Sequence, residues 1–247
     1  HVAPLDAAGR EAEEAGGPVA LGTTQAVIGD TLLATFGDLT SVEALFAAYP
    51  RDIACAILEP VTGSMGVISA ERDFLRDLQE LCHSHGSLVI FDEVLTGFRV
   101  AAGGVQTVLE LQPDLTCLGK AVAGGLPIGV YGGRADLMKR VAPLGPVYQA
   151  GTFCGNPLTV RAAIAALREY SRPSLYSELS EMTRIFCEGL RRHFPDAYVP
   201  QAGGMFGFGF GVQNLRDHTD AVRLDTEKFA HFFHAALAEG VYFPPST

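Results

Sequence analysis

The chain is 247 residues long, 48% hydrophobic with 28 glycines, and carries a formal charge of −10. That length suits one or two domains, and the acidic balance, with no lysine or arginine run to offset it, argues against nucleic acid as a partner. No apolar stretch reaches the ~18–20 residues of a membrane span and the amino end lacks a secretory layout, so a cytoplasmic protein with no membrane partner is expected.

Residues 1–30 show no sustained periodicity and read as loop. Thr40-Ser41-Val42-Glu43 has the form of a capping box, and Val42, Leu45, Phe46 and Tyr49 follow at helical spacing until Pro50. Ile53 to Leu58 is an apolar run without alternation, the pattern of a strand covered on both faces. A helix is expected from about Glu71 to His85, with Phe74, Leu75, Leu78, Leu81 and Cys82 on one side and Gly86 as terminator. Strands are expected at Leu88–Val94, Leu115–Leu118 and Ile128–Tyr131, alternating with helices as in a layered α/β domain with a mostly parallel sheet. Asn156-Pro157 is a helix start, cap followed by proline at the first position.

From about residue 171 the pattern changes to a long helix, then Met205 to Phe210 alternating glycine with large side chains, then a helix through Phe229, Phe232, Phe233, Ala236 and Leu237 closed by Gly240. A smaller α+β domain is therefore expected over 171–247, after a first domain over 1–170. The five cysteines are odd in number and widely spaced, which fits reduced core residues rather than a disulfide framework or zinc knuckle. The chain opens at His1 and stops after a strand-like Val241-Tyr242-Phe243, so it reads as a piece of a longer protein.

Two segments carry chemistry. The strand ending in Asp92-Glu93-Val94 is followed, 28 residues after Asp92, by Lys120 in Gly119-Lys120-Ala121-Val122-Ala123-Gly124-Gly125. A carboxylate at a strand end and a lysine in a glycine-flanked turn suit pyridoxal phosphate: the amine forms a Schiff base with the cofactor aldehyde, and the acid keeps the ring nitrogen protonated. Asp92 and Val94 lie two apart and face one way. The bland readings stay open at this point: Asp92 leaving a strand into a loop, and Lys120 as a solvated surface charge. Lys120 is no phosphate-loop lysine, because Ala121 follows it and Asp114 stands where the first glycine belongs. Gly151-Thr152, with Gly155-Asn156-Pro157, forms a second turn able to hold a phosphate, and Glu59 to Gly66, containing Ser64, is ambiguous between turn and site. Cys82, His83 and His85 sit in the last turn of a helix, where a dipole role is preferred to a metal, and His231 and His234 read as an exposed helix face.

Together these segments resemble the class III pyridoxal phosphate aminotransferases, and within them the aminomutase branch. The resemblance runs from about residue 19 to the end and is strongest in Asp92 to Arg99, Leu118 to Pro127, Gly145 to Thr152 and Asp225 to Ser246. It implies the fold type I architecture, with Lys120 as Schiff-base residue and proton shuttle, Asp92 as partner of the ring nitrogen and Val94 against the ring. It also implies that Thr152, in the turn with Gly151, binds the phosphate of the neighbouring subunit's cofactor, hence a homodimer acting on a small amino-aldehyde. Ser64 stands where the family has an asparagine that reaches the ring hydroxyl. The family's main phosphate-binding loop would lie upstream, and the segment around Gly16-Gly17-Pro18 is near its gating loop. The alternatives are a transaminase with separate donor and acceptor, or a non-catalytic piece.

Overall fold

In the computed structural model, residues 23–245 are described, so the loop expected over 1–30 lies mostly outside them and Gly16-Gly17-Pro18 entirely so. Within the remainder of that stretch, α1 spans Gln25–Gly29. Helix α2 (Leu39–Ala48) starts two residues earlier than the expected capping box, because Asp38 is its cap and accepts from the Thr40 N–H at 3.0 Å. Both Asp38 and Thr40 are good capping types, and the aspartate is placed to reach into the first turn.

A four-stranded sheet organises the first part of the chain, in the order β1 (Cys55–Leu58), β2 (Leu88–Asp92), β3 (Leu115–Leu118), β4 (Val130–Gly133). The first three are parallel and β4 returns antiparallel beside β3. The expected strand at Ile128–Tyr131 is thus displaced by two residues. Asp114, between Leu111 and β3, explains part of this register: a Cβ on Gly133 would collide with the Asp114 carbonyl, so only glycine allows that close pass.

Helix α3 (Arg72–Ser84) joins β1 to β2, and Gly86 beyond it takes φ +78°, as a terminating glycine should. Leu75, Leu78 and Cys82 of this helix pack with Val42 and Phe46 of α2 against Val89 and Phe91 of β2, forming the main core. The alternation of Val89 and Phe91 puts Leu88, Ile90 and Asp92 on the other face of the sheet. β1 departs from expectation: Ile57 is 50% exposed, so this strand is not covered on both faces among the described residues. The short helices α4 (Gly104–Leu109) and α5 (Ala135–Met138) follow β2 and β4.

Helix α6 (Pro157–Tyr170) begins as expected, with Asn156 Oδ1 accepting from the N–H groups of Leu158 and Thr159. α7 (Leu175–His193) leads to a hairpin of β5 (Gln201–Ala202) and β6 (Met205–Phe206). The glycine alternation predicted a longer strand; instead the chain bends after Phe206, where a Cβ on Gly207 would lie 2.7 Å from the Gly66 carbonyl oxygen. Close backbone passage, rather than strand pairing, accounts for that glycine. After α8 (His218–Ala221), α9 (Thr226–Ala238) packs Phe229, Phe232 and Phe233 with Cys187, Val199, Phe208 and Phe210 in a second, aromatic core. Val241 to Phe243 is not a strand. Of the cysteines, Cys82 and Cys187 are core residues, whereas Cys55 and Cys154 are exposed.

Candidate active site

Asp92 closes β2 at the carboxyl edge of the sheet, the edge at which open α/β sheets bind ligands. Its register partner is Cys117, three residues before Lys120, so β2 and β3 deliver the acid and the lysine to the same edge. Asp92 Oδ1 accepts from the Val94 N–H at 3.0 Å, an Asx turn that fixes the carboxylate's direction as the chain leaves the strand. Val94 then folds against Gly119: a Cβ there would sit 3.2 Å from Val94 Cγ1. Val94 thus touches the residue before Lys120 and Asp92 is tied to Val94, while Lys120 itself is exposed.

Lys120 opens a 3₁₀ turn, Lys120–Ala123, with φ +44°. A lysine in the left-handed region is uncommon and persists only where its surroundings hold it. Here Val122 and Ala123 are buried against Ala163 of α6, and the Tyr170 hydroxyl donates to the Ala121 carbonyl at 2.9 Å. The Tyr170 ring stacks on Phe98, with centroids 5.5 Å apart and planes 20° from parallel. Lys120, Phe98, Arg99, Gly124, Gly125 and Tyr170 line one open cleft of about 670 Å³. Gly125, at φ +111°, has nothing within 4 Å of where its Cβ would stand, which leaves a low, unobstructed wall beside the lysine.

Asp92 and Val94 do not line this cleft, and the remaining candidates lie apart from it. Ser64 is exposed and its hydroxyl donates to Glu59 Oε1 at 3.4 Å, while the Gly63 N–H is held by the same carboxylate. Leu95, next after Val94, occupies the space beside Gly63, which ties the Ser64 loop to the Asp92 turn. Gly151 and Thr152 lie in an exposed turn that leads through Gly155, at φ +70°, into α6. Around that turn Leu144, Tyr148, Phe153 and Leu158 are 71–83% exposed.

Sequence reasoning passed over three residues. Glu93 is fully buried, with four hydrogen-bond donors on its two carboxylate oxygens. Asp114 is 2% exposed and accepts from the Val89 N–H and Arg134, with His83 Nε2 at 2.9 Å. His83 therefore faces a carboxylate rather than only the helix end. Burial alone would raise the Asp114 pKa, but the Val89 N–H, Arg134 and His83 together hold it below the ordinary carboxylate range. Tyr170 is the third, and nothing in its local sequence marks it. Burial and the nearby Asp92 raise the Cys117 thiol pKa, so the neutral thiol is favoured beside the acid.

Residues 26–246 match the family described as aminotransferase class-III. The chain belongs to that family. It is 46% identical, over 97% of its length, to the glutamate-1-semialdehyde 2,1-aminomutase of Myxococcus xanthus, of which it covers 56%. Among solved structures, an omega-transaminase from Sphaerobacter thermophilus is similar at a TM-score of 0.84 and 31% identity, covering 93% of this chain and 54% of that one. A glutamate-1-semialdehyde aminomutase from Pseudomonas aeruginosa, solved with PMP, is similar at 0.80 and 25%, covering 98% and 55%. The chain thus spans about half the length of the relatives it matches. Class III aminotransferases are fold type I enzymes that use pyridoxal 5′-phosphate, and the mostly parallel sheet with the lysine turn at its carboxyl edge is this chain's part of that architecture. Among the residues at this edge are groups whose chemistry would suit the cofactor: an amine at Lys120, a carboxylate at Asp92 and an apolar side chain at Val94.

Proposed function

We propose that the protein to which this chain belongs is a pyridoxal phosphate-dependent aminomutase that converts glutamate-1-semialdehyde to 5-aminolevulinate, a step toward tetrapyrroles. The carrying observation is that Val94 packs on Gly119, which brings the end of β2 against the Lys120 turn at one sheet edge. The 46% identity to an aminomutase over nearly the whole chain supports the choice of reaction. When bound, the cofactor supplies an electron-withdrawing ring that stabilises negative charge on the carbon losing a proton. Lys120 Nζ would hold the cofactor through its aldehyde and serve as the base that moves protons between the reacting carbons. Asp92 would hold the ring nitrogen protonated and Val94 would lie against the ring face; Ser64, whose hydroxyl is engaged by Glu59, stands where the family's asparagine would meet the ring hydroxyl.

Gly151 and Thr152 bind the phosphate of a neighbouring subunit in this reading, which calls for a homodimer. The large exposed side chains of Leu144, Tyr148, Phe153 and Leu158 supply an apolar surface around that turn, as a subunit contact needs. Residues to about 170 form the later part of the large domain, built on the sheet core, and 171–247 begin the small domain, built on the aromatic core. No helix among the described residues is long and apolar enough to cross a membrane.

A transaminase using separate amine donor and keto acceptor is the second reading, favoured by the similarity to an omega-transaminase at a TM-score of 0.84. Turnover of the semialdehyde with no added keto acid supports the aminomutase; strict dependence on a keto acid supports the transaminase. Borohydride reduction of the loaded protein, followed by peptide mapping, should place the phosphopyridoxyl mass on Lys120. Its absence there would remove the basis of both.

A further inference from the structure

Among the described residues, Glu93 is a buried carboxylate next to this edge that neither reading uses. Its side chain is 0% exposed. Oε2 accepts from the Thr96 hydroxyl at 2.8 Å and the Val105 N–H at 2.7 Å; Oε1 accepts from the Gln106 N–H at 3.0 Å and the Gln106 side-chain amide at 3.1 Å. Three of these four are obligate donors, so both oxygens are fixed as acceptors. All four are neutral. Burying a carboxylate on neutral donors is costly unless every lone pair is served, and here they are served from two directions, the turn after β2 and the start of α4. Gly104 completes the seat, since a Cβ there would fall 2.6 Å from the Glu93 carboxyl carbon.

The peptide of Glu93 is pinned as firmly as its side chain. Its N–H donates to the Cys117 carbonyl at 2.9 Å, and its carbonyl accepts from the Gly97 N–H at 2.8 Å. The Gln106 side chain also lies 3.3 Å from the Thr116 hydroxyl on β3, so the carboxylate is tied to both strands that deliver the site. The next N–H along, that of Val94, is the one that orients the Asp92 carboxylate, and the Val94 side chain is the one seated on Gly119. Asp92 and Val94 therefore take their directions from the residue between them.

We propose that Glu93 is a positioning residue for the cofactor: its buried carboxylate locks the turn that aims Asp92 at the ring nitrogen and sets Val94 against the ring. The inference rests on the reading of Asp92 given above. In Glu93→Gln an amide NH2 replaces one acceptor and confronts an N–H that cannot turn away, which loosens the turn without touching Asp92.

The test uses the full-length protein loaded with pyridoxal phosphate, and reads the pH at which the bound cofactor's absorption band converts, together with its equilibrium affinity. E93Q should displace that pH by on the order of half a unit, in the direction shown by Asp92→Asn, and weaken cofactor affinity about tenfold. In a D92N background the E93Q displacement should vanish, because the two act through one contact. Thr96→Val, which removes a single donor, should give a smaller displacement of the same sign and keeps the test available if E93Q fails to fold. A lowered melting temperature in E93Q or T96V with an unmoved band and unchanged affinity, or a displacement that persists undiminished in D92N, overturns the inference while leaving Asp92 in its role. If D92N itself leaves the band unmoved, the Asp92 reading fails and takes the inference with it.

Discussion

A lysine held at φ +44° is a residue whose neighbours matter as much as its own chemistry. The Tyr170 hydroxyl on the Ala121 carbonyl is the polar contact that clamps its turn from α6, and the stacked Phe98 keeps the tyrosine ring in place. Tyr170→Phe keeps the stack and deletes the hydrogen bond, a loss of about 1 kcal/mol. Expressed at the lysine, that should appear as roughly fivefold weaker cofactor retention in equilibrium dialysis, with far-ultraviolet circular dichroism unchanged. Retention equal to wild type would show that the buried side chains of Val122 and Ala123 hold the turn unaided. That Lys120 and Asp92 reach the same sheet edge was legible in sequence because glycines flank the one and a buried strand ends in the other. Glu93, Asp114 and Tyr170 were not, since apart from Thr96 beside Glu93 their partners stand 12 and 13, 20 to 31, and 49 residues away and no local pattern encodes such distances.

Elements whose signals are local came through closely. Asn156-Pro157 is the clearest case, because the cap and the first-turn proline act within three residues of each other. Asn156→Ala should remove the two side-chain bonds to Leu158 and Thr159 N–H and lower stability by about 1 kcal/mol, read as a reduced urea midpoint with unchanged m-value. A midpoint shift within error would mean that Pro157 alone starts the helix. β4 and the segment after β6 went astray for a shared reason: in both, glycines permit a close backbone approach to a distant segment, Asp114 at Gly133 and Gly66 at Gly207, and the outcome depends on that segment. The cap of α2 was misplaced by competition between two adequate capping residues, which composition cannot rank.

Across the molecule, the parts are joined by a few buried polar groups. Asp114 ties α3, β2 and the residue after β4 through His83, the Val89 N–H and Arg134. Its folded pKa is held below the ordinary carboxylate value, so its stabilising contribution is complete above about pH 4 and disappears as pH falls through the folded pKa. Wild type should therefore exceed Asp114→Asn by about 2 kcal/mol between pH 5 and 8 in denaturant unfolding, with the gap closing toward pH 3. A gap that stays constant on acidification would assign the effect to shape rather than charge. The half-bare strand β1 has a consequence of another kind. With a neighbour on only one side among the described residues and Ile57 half open to water, it offers unpaired backbone groups beside an apolar side chain. Such a rim is a template onto which any extended peptide can zip, so handling this stretch apart from the rest of its protein invites strand addition and insoluble aggregates.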